Sequence, residues 1–267
     1  MEVLIVILIL FIVSIIYSHF VIDKTRYEFK NKKFDKNIKI LFLSDLHNRK
    51  IYKIMIEIVD IEKPDIIIFG GDMTNNSIKD TKRVIELINK LNSKVYYTFG
   101  NHEELLSKND MDEYLKRLGK TNVILLNNKS INLSNNINLI GFNSGIEAYH
   151  NFNKPGLDKK YIIDKIGNIN NKKYNIMIAH NPIEFDSYVE SNVDLVLCGH
   201  IHGGLARLPF IGGILSPDFT LFPKYDSGLF IKGRTRMIVS RGLGYCKLIP
   251  FRIFNPGEVV IINLIKD

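Results

Sequence analysis

The sequence predicts an α/β (α+β) protein: a buried, largely parallel β-sheet backed by helices, a second sheet packed on it through apolar faces, and one transmembrane helix ahead of both. Three observations carry this. An almost unbroken apolar stretch opens the chain, short β-branched runs then alternate with helical periodicity, and further apolar runs follow on short links. With 267 residues, 46% hydrophobic and 24% charged, 18 Gly and 8 Pro, the chain can bury a catalytic-sized core and is not collagenous, disordered or disulfide-framed. Cys198 and Cys246 sit among apolar neighbours and read as buried free thiols. The formal charge of +8 is spread along a Lys-, Asn- and Ile-rich chain. No basic stripe interleaves with aromatics, so nucleic acid is not an expected partner.

Residues 1–22 read as a membrane anchor. Val3 to Ile22 is broken only by Ser14, Tyr17, Ser18 and His19, and a helix of that length covers roughly 30 Å, the hydrocarbon thickness. Glu2 precedes the run and Ser18-His19-Phe20-Val21 ends it, which does not fit a cleaved signal peptide. Residues 23–37 read as a basic juxtamembrane linker, with Lys24, Arg26, Lys30, Lys32, Lys33 and Lys36, and Lys39 just beyond. Such a flank favours a cytoplasmic placement of residues 38–267, the expected catalytic domain.

Within that domain Ile38 to Leu43, Ile66 to Phe69 and Val95 to Phe99 read as strands. Between and after them, Ile51, Ile54, Met55 and Ile58, then Val84, Leu87, Ile88 and Leu91, then Met111, Tyr114, Leu115 and Leu118 recur at helical spacing. Asn109 or Asp110 is the expected cap of the last. The later strands are Val123 to Leu126, Ile137 to Phe142, Asn175 to Ala179, Val193 to Cys198, Leu229 to Ile231, Arg236 to Ser240 and Val259 to Leu264.

Potential metal ligands gather at the carboxyl ends of these strands, where the loops of α/β sheets collect substrates. Asp45 and His47 lie two apart, Asp72 follows Gly70-Gly71, Asn101 and His102 follow Gly100, His180 ends its strand, and His200 and His202 stand in Gly-His-Ile-His-Gly-Gly. Singly, each residue is an ordinary turn, cap or packed residue. Together, five of the 7 histidines occupy strand ends interleaved with two carboxylates, which independent turn chemistry does not explain. His19 and His150 fall outside the set and are assigned no role.

Asp45-x-His47, Gly70-Gly71-Asp72, Gly100-Asn101-His102-Glu103, Ala179-His180 and Gly199-His200-x-His202 resemble, in order and spacing over residues 38 to 265, the motif series of the calcineurin-like metallophosphoesterases. The apolar helix, the Gly-His-x-His-Gly-Gly block and the Ser227-Gly228-Leu229 and Ser240-Arg241-Gly242-Leu243-Gly244 segments resemble the membrane-associated bacterial branch. That branch includes cell-envelope phosphoesterases and a pyrophosphatase of a UDP-linked diacyl sugar. The resemblance implies two stacked mixed β-sheets flanked by helices, a four-layer sandwich. It also implies one metal on Asp45, His47, Asp72 and His202, and a second on Asp72, Asn101, His180 and His200. This nitrogen-rich set suits two divalent transition-metal ions, Mn, Fe or Zn, better than Mg.

Charge explains the ligand types. Two divalent ions, two carboxylates and a bridging hydroxide leave about one positive charge, which attracts a phosphoryl group while the ions activate water and stabilise the leaving oxygen. His102, unligated in this reading, is placed to hydrogen-bond a phosphoryl oxygen or to protonate the leaving alkoxide as the catalytic acid. Glu103 is either a support for the ligands or a surface helix-start residue. The apolar loop from Leu205 to Leu215, continued by Phe219, Leu221 and Phe222, is too broken by Gly and Pro for regular structure. It reads either as a lid or membrane-dipping edge or as a buried loop closing the second sheet, with Arg207 a candidate phosphate contact.

Two positions depart from related sequences, Leu205 where Gln is frequent and Asn143-Ser144 where an Asp pair is frequent, and both concern substrate choice. The expected reaction is hydrolysis of a phosphodiester or pyrophosphate bond in a lipid-linked substrate. A cell-envelope phosphomonoesterase and a non-catalytic metal-binding scaffold are the alternatives.

Overall fold

The computed structural model describes residues 1–47, 49–149, 156–208, 210–245 and 251–267, so His150 and Cys246 lie outside the described residues. Two six-stranded mixed sheets stack face to face, with helices on both outer surfaces. After α1 (Glu2–Phe20), the chain runs β1 (Ile22–Asn31), β2 (Ile38–Leu43), α2 (Tyr52–Glu62), β3 (Ile66–Phe69), α3 (Ile78–Lys90), β4 (Lys94–Tyr97), α4 (Asn101–Glu104), α5 (Lys108–Leu118) and β5 (Val123–Leu125). Then come β6 (Lys129–Asn132), β7 (Ile137–Phe142), α6 (Lys159–Ile166), β8 (Tyr174–Ala179), α7 (Phe185–Glu190) and β9 (Leu195–Cys198). A short hairpin, β10 (Ala206–Leu208) and β11 (Gly212–Leu215), precedes β12 (Gly228–Lys232), β13 (Thr235–Val239) and β14 (Gly257–Lys266).

The first sheet is ordered β1-β14-β2-β3-β4-β5 and the second β12-β13-β9-β8-β7-β6. Strands β2 to β5 are mutually parallel, as are β7, β8, β9 and β13, while β14, β6 and β12 run antiparallel to β2, β7 and β13. Side-chain alternation divides each strand between two cores. Ile40 and Phe42 of β2, Ile66 and Ile68 of β3, Ile176 and Ile178 of β8 and Val260 and Ile262 of β14 meet between the sheets. Leu41, Leu43, Ile67 and Phe69 turn outward under α2, α3 and α5. Met177, Ala179, Val196 and Cys198 turn to the other surface, under α6 and α7. Cys198 is a buried free thiol.

The structure corrects three expectations. The segment expected as a linker, 23–37, contains β1, paired residue for residue with β14 from Ile22↔Gly257 to Asn31↔Lys266. Its basic residues serve the fold: Arg26 holds Glu62 of α2 through two hydrogen bonds of 2.8 and 2.6 Å. The strand was hidden because its alternation, Tyr27 and Phe29 among Lys and Arg, resembles a charged flank. The cap of α5 is Ser107, whose Oγ accepts from Asp110 N, rather than Asn109 or Asp110. The loop expected to be irregular carries β10 and β11, and Phe210, Ile211, Phe219, Leu221 and Phe222 are exposed, which excludes the buried-loop reading.

The helix α1, 19 residues with one charged side chain at its start, is long and apolar enough to cross a membrane. Its apolar side chains are exposed, but Ser14 and Ser18 are buried at 2% and 0%. Their hydroxyls accept from Phe254 N at 2.6 Å and Asn255 N at 3.0 Å. His19 is not idle: it stacks on Tyr245, whose hydroxyl meets its Nδ1 at 2.7 Å.

Because β1 covers the edge of β14, a chain beginning at residue 32 should expose an apolar strand edge, aggregate on size-exclusion chromatography and melt at a lower temperature than a chain beginning at residue 21.

Candidate metal centre

The parallel strands deliver the expected ligands to one end of the sandwich. Asp45 and His47 follow β2, Asp72 follows β3, Asn101 and His102 open α4 after β4, His180 follows β8, and His200 and His202 follow β9. The ligand atoms of Asp45, His47 and His202, those of His47, Asp72 and His102, and those of Asp72, His180 and His200 each lie within 4.8 Å of one another. His180 Nε2 is 3.1 Å from Asp72 Oδ2 and 3.7 Å from Asp45 Oδ1, and His202 Nε2 is 3.5 Å from Asp45 Oδ1. Asp45, Asp72, His180 and His202 are buried.

This convergence needs unusual backbone. Asp45, His47, Asp72, His200 and His202 have φ of 51°, 43°, 52°, 71° and 56°, a region that costs a non-glycine residue about 1–3 kcal/mol. Hydrogen bonds hold it: Asp45 N donates to Gly71 O at 3.0 Å, His47 N to Asp72 O at 3.1 Å, and His200 N to Asp45 Oδ1 at 3.0 Å. Two glycines permit the crowding. A Cβ on Gly71 would stand 2.7 Å from His180 Nδ1, and one on Gly199 would collide with Asp45 Oδ2.

Electrostatics separate the groups. Burial pushes the Asp45 carboxyl up. Asp72 is also penalised by burial, yet the surrounding imidazoles, His180 foremost, hold it well below the carboxylate range. Burial alone would lower His180, but Asp72 and Asp45 outweigh it and lift the imidazole to about 10. Burial lowers His47 to about 3 and His200 to about 4, so both are neutral near pH 7.

The donor atoms fit metal ions. Asp45 Oδ2 and Asn101 Oδ1 are buried without a hydrogen-bond partner among the described residues, and His180 Nε2 faces the Asp72 carboxylate at 3.1 Å. The Nδ1 of His180 meets Gly70 O at 2.7 Å and that of His47 meets Asn75 Oδ1 at 3.2 Å. Both partners are acceptors, so both Nδ1 atoms carry the proton and each Nε2 is turned to the centre.

Four supporting residues escaped sequence reading in whole or part. Glu103, read equally as support or surface, is fully buried. Its carboxylate accepts from Asp72 N at 2.8 Å, Thr74 N at 3.0 Å, Gly100 N at 2.8 Å and the Tyr97 hydroxyl at 2.7 Å, so one side chain ties the Asp72 loop to the Asn101 loop. The Gly-x-x-Glu spacing of a capping box was the available signal. Arg252 donates to His202 O and Nδ1, each at 3.2 Å, and Asn255 Nδ2 to His202 O at 2.7 Å. Asn75 completes the four, and for these three the sequence holds no local signal. Arg207 is instead committed to Asp226 at 2.8 Å and to Gly203 O. Asn143 is engaged with Glu104 and Asn128, and Leu205 is buried.

The family model for calcineurin-like phosphoesterases matches residues 38–204. An uncharacterized metallophosphoesterase of Helicobacter pylori is 32% identical over 243 residues, covering 87% of this chain and 61% of that protein. The chain spans about three fifths of the length of such relatives. The phosphodiesterase YaeI of Escherichia coli is 26% identical over 238 residues, 85% of this chain and 82% of that one. Among solved structures, TT1561 of Thermus thermophilus aligns with a TM-score of 0.51 at 12% identity, covering 76% of this chain and 88% of that one, a likeness of fold.

Two outcomes are expected. Glu103→Gln should weaken divalent-ion uptake about 10- to 100-fold in a metal titration, because an amide cannot accept all four donors. Since His180 sits near 10 without a cation, it carries a proton at pH 7 to 8 that ligation of a metal would displace. Calorimetry in buffers of different ionisation enthalpy should register release of about one proton, and affinity should fall as pH falls.

Proposed function

This chain belongs to the calcineurin-like phosphoesterase family, and from that premise we propose that it is a membrane-anchored, two-metal phosphoester hydrolase acting on a phosphodiester or pyrophosphate bond of a lipid-linked substrate. The single observation that carries the reading is the convergence of Asp45, His47, Asp72, His180, His200 and His202 within ligating range, with buried donor atoms left unpartnered. Asp45, His47, Asp72 and His202 would hold one ion, and Asp72, Asn101, His180 and His200 the other, with Mn, Fe or Zn the suited metals. Two such ions would supply positive charge for a phosphoryl group and lower the pKa of a water nucleophile.

The side chains supply the rest. Asp72, held ionised, is unsuited to proton donation and would act as a metal ligand. His102 donates its backbone N–H to Asp72 Oδ1 at 2.8 Å, and its ring packs edge-on to His47 at 4.6 Å. Its Nδ1 has no partner among the described residues, which supports a role on a phosphoryl oxygen or the leaving alkoxide. The diester preference draws support from the name of the Escherichia coli relative, and the lipid-linked substrate from α1. We take residues 1–22 as the anchor, β1 as part of the catalytic unit extending to residue 267, and the basic flank as favouring a cytoplasmic face.

The test is turnover of bis(p-nitrophenyl) phosphate and p-nitrophenyl phosphate by the full chain loaded with Mn, Fe or Zn. Hydrolysis of the diester in preference to the monoester is expected, and no hydrolysis of either with any of the three metals would leave the scaffold reading. His102→Ala should bind both ions yet lose about 10²- to 10⁴-fold in kcat. Unchanged turnover would remove His102 from catalysis.

A further inference from the structure

We infer that the edge formed by Leu208, Phe210, Ile211 and Phe254 is submerged in the same bilayer leaflet that α1 enters, so that the loop carrying His202 lies close to the lipid surface. This rests on the reading of α1 as membrane-inserted. It goes further by giving a role to an apolar edge that neither the fold nor the metal site uses.

The lengths demand it. The 19 residues of α1 cover about 28 Å, close to a whole hydrocarbon core of roughly 30 Å. Its last two turns are docked on the domain through Ser14 and Ser18, which accept from Phe254 N and Asn255 N. Glu2 to Val13 alone would cover only about 18 Å. A helix inserted along its full apolar length therefore carries the 254–255 segment below the surface, to about 9 Å at Ser14. That matches the roughly 5–10 Å to which interfacial elements sink.

The chemistry of the edge agrees. Phe210 is fully exposed, Ile211 61% and Phe254 43%, and Leu208, Phe210, Ile211 and Phe254 line one shallow cavity. Irregular backbone survives in lipid only where its polar groups are satisfied by protein. Here Phe254 N and Asn255 N are taken by the helix serines, Arg207 N by Ile253 O, and Ile211 N by Leu208 O. Arg207, beside the edge, is paired with Asp226 at 2.8 Å. The link to the site is short: Asn255, next to Phe254, donates to His202 O at 2.7 Å and Gly204 O at 2.6 Å.

The chain contains no Trp, so single substitutions report one position each. Full-length Phe210→Trp and Phe254→Trp would be reconstituted in vesicles of phosphatidylcholine and phosphatidylglycerol, with Phe11→Trp in α1 and Leu115→Trp on α5 as references. Ile211→Trp gives a further reading of the edge if either Phe variant fails to fold. Lipids brominated along the acyl chains should remove most of the emission at positions 11, 210, 211 and 254 and leave position 115 unchanged, while aqueous iodide quenches only position 115. Lipid quenching at position 11 alone, with the edge positions open to iodide, would overturn the submerged edge and leave the anchor standing. Lipid quenching at none of them would remove the anchor and the edge together.

Discussion

Two carboxylates buried within reach of one imidazole govern this molecule. Asp45 and Asp72 are removed from water, and His180 lies between them with Nε2 at 3.7 and 3.1 Å from their oxygens. Isolated buried charges are severely penalised, so this arrangement persists only because the imidazolium and backbone N–H groups compensate it. The compensation is incomplete. Ligand atoms on Asp45 and Asn101 remain without partners among the described residues, and a pair of divalent cations would complete them. The same deficit that makes the ion-free state expensive would give an ion-bound state its affinity.

Around this centre the fold behaves as a scaffold for strained loops. The ends of β2, β3, β4, β8 and β9 come together because parallel strands present all their carboxyl ends on one side. The five candidate ligands at positive φ are then fixed by cross-loop hydrogen bonds rather than by local preference. Glu103 is the clearest instance, since one carboxylate secures backbone donors from two separate strand ends. Removing such a side chain would relax the ligand geometry without touching a ligand.

The amino-terminal helix is part of this architecture rather than an appendage. Ser14 and Ser18 interrupt its apolar sequence where the folded body presents two backbone N–H groups, of Phe254 and Asn255, for them to accept from. Through Asn255 those contacts adjoin the carbonyl of His202, so the orientation of the helix and that of a ligand loop are coupled by a few hydrogen bonds.

The sequence by itself determined what depends on neighbours in the chain. The length and hydropathy of α1, the strand and helix periods, and the glycine-flanked Asp, Asn and His blocks were legible because each is a local pattern with a local cause. Tertiary structure alone decided what depends on distant partners. β1 is a strand because β14, more than two hundred residues later, offers it an edge, and by itself it resembles a charged flank. Arg252 and Asn255 serve His202 only because β13 and β9 are adjacent, and Phe210 is exposed on a hairpin that joins neither six-stranded sheet. Local periodicity fixes which elements form, but burial and hydrogen-bond partners are properties of the packed whole, and no window of sequence contains them.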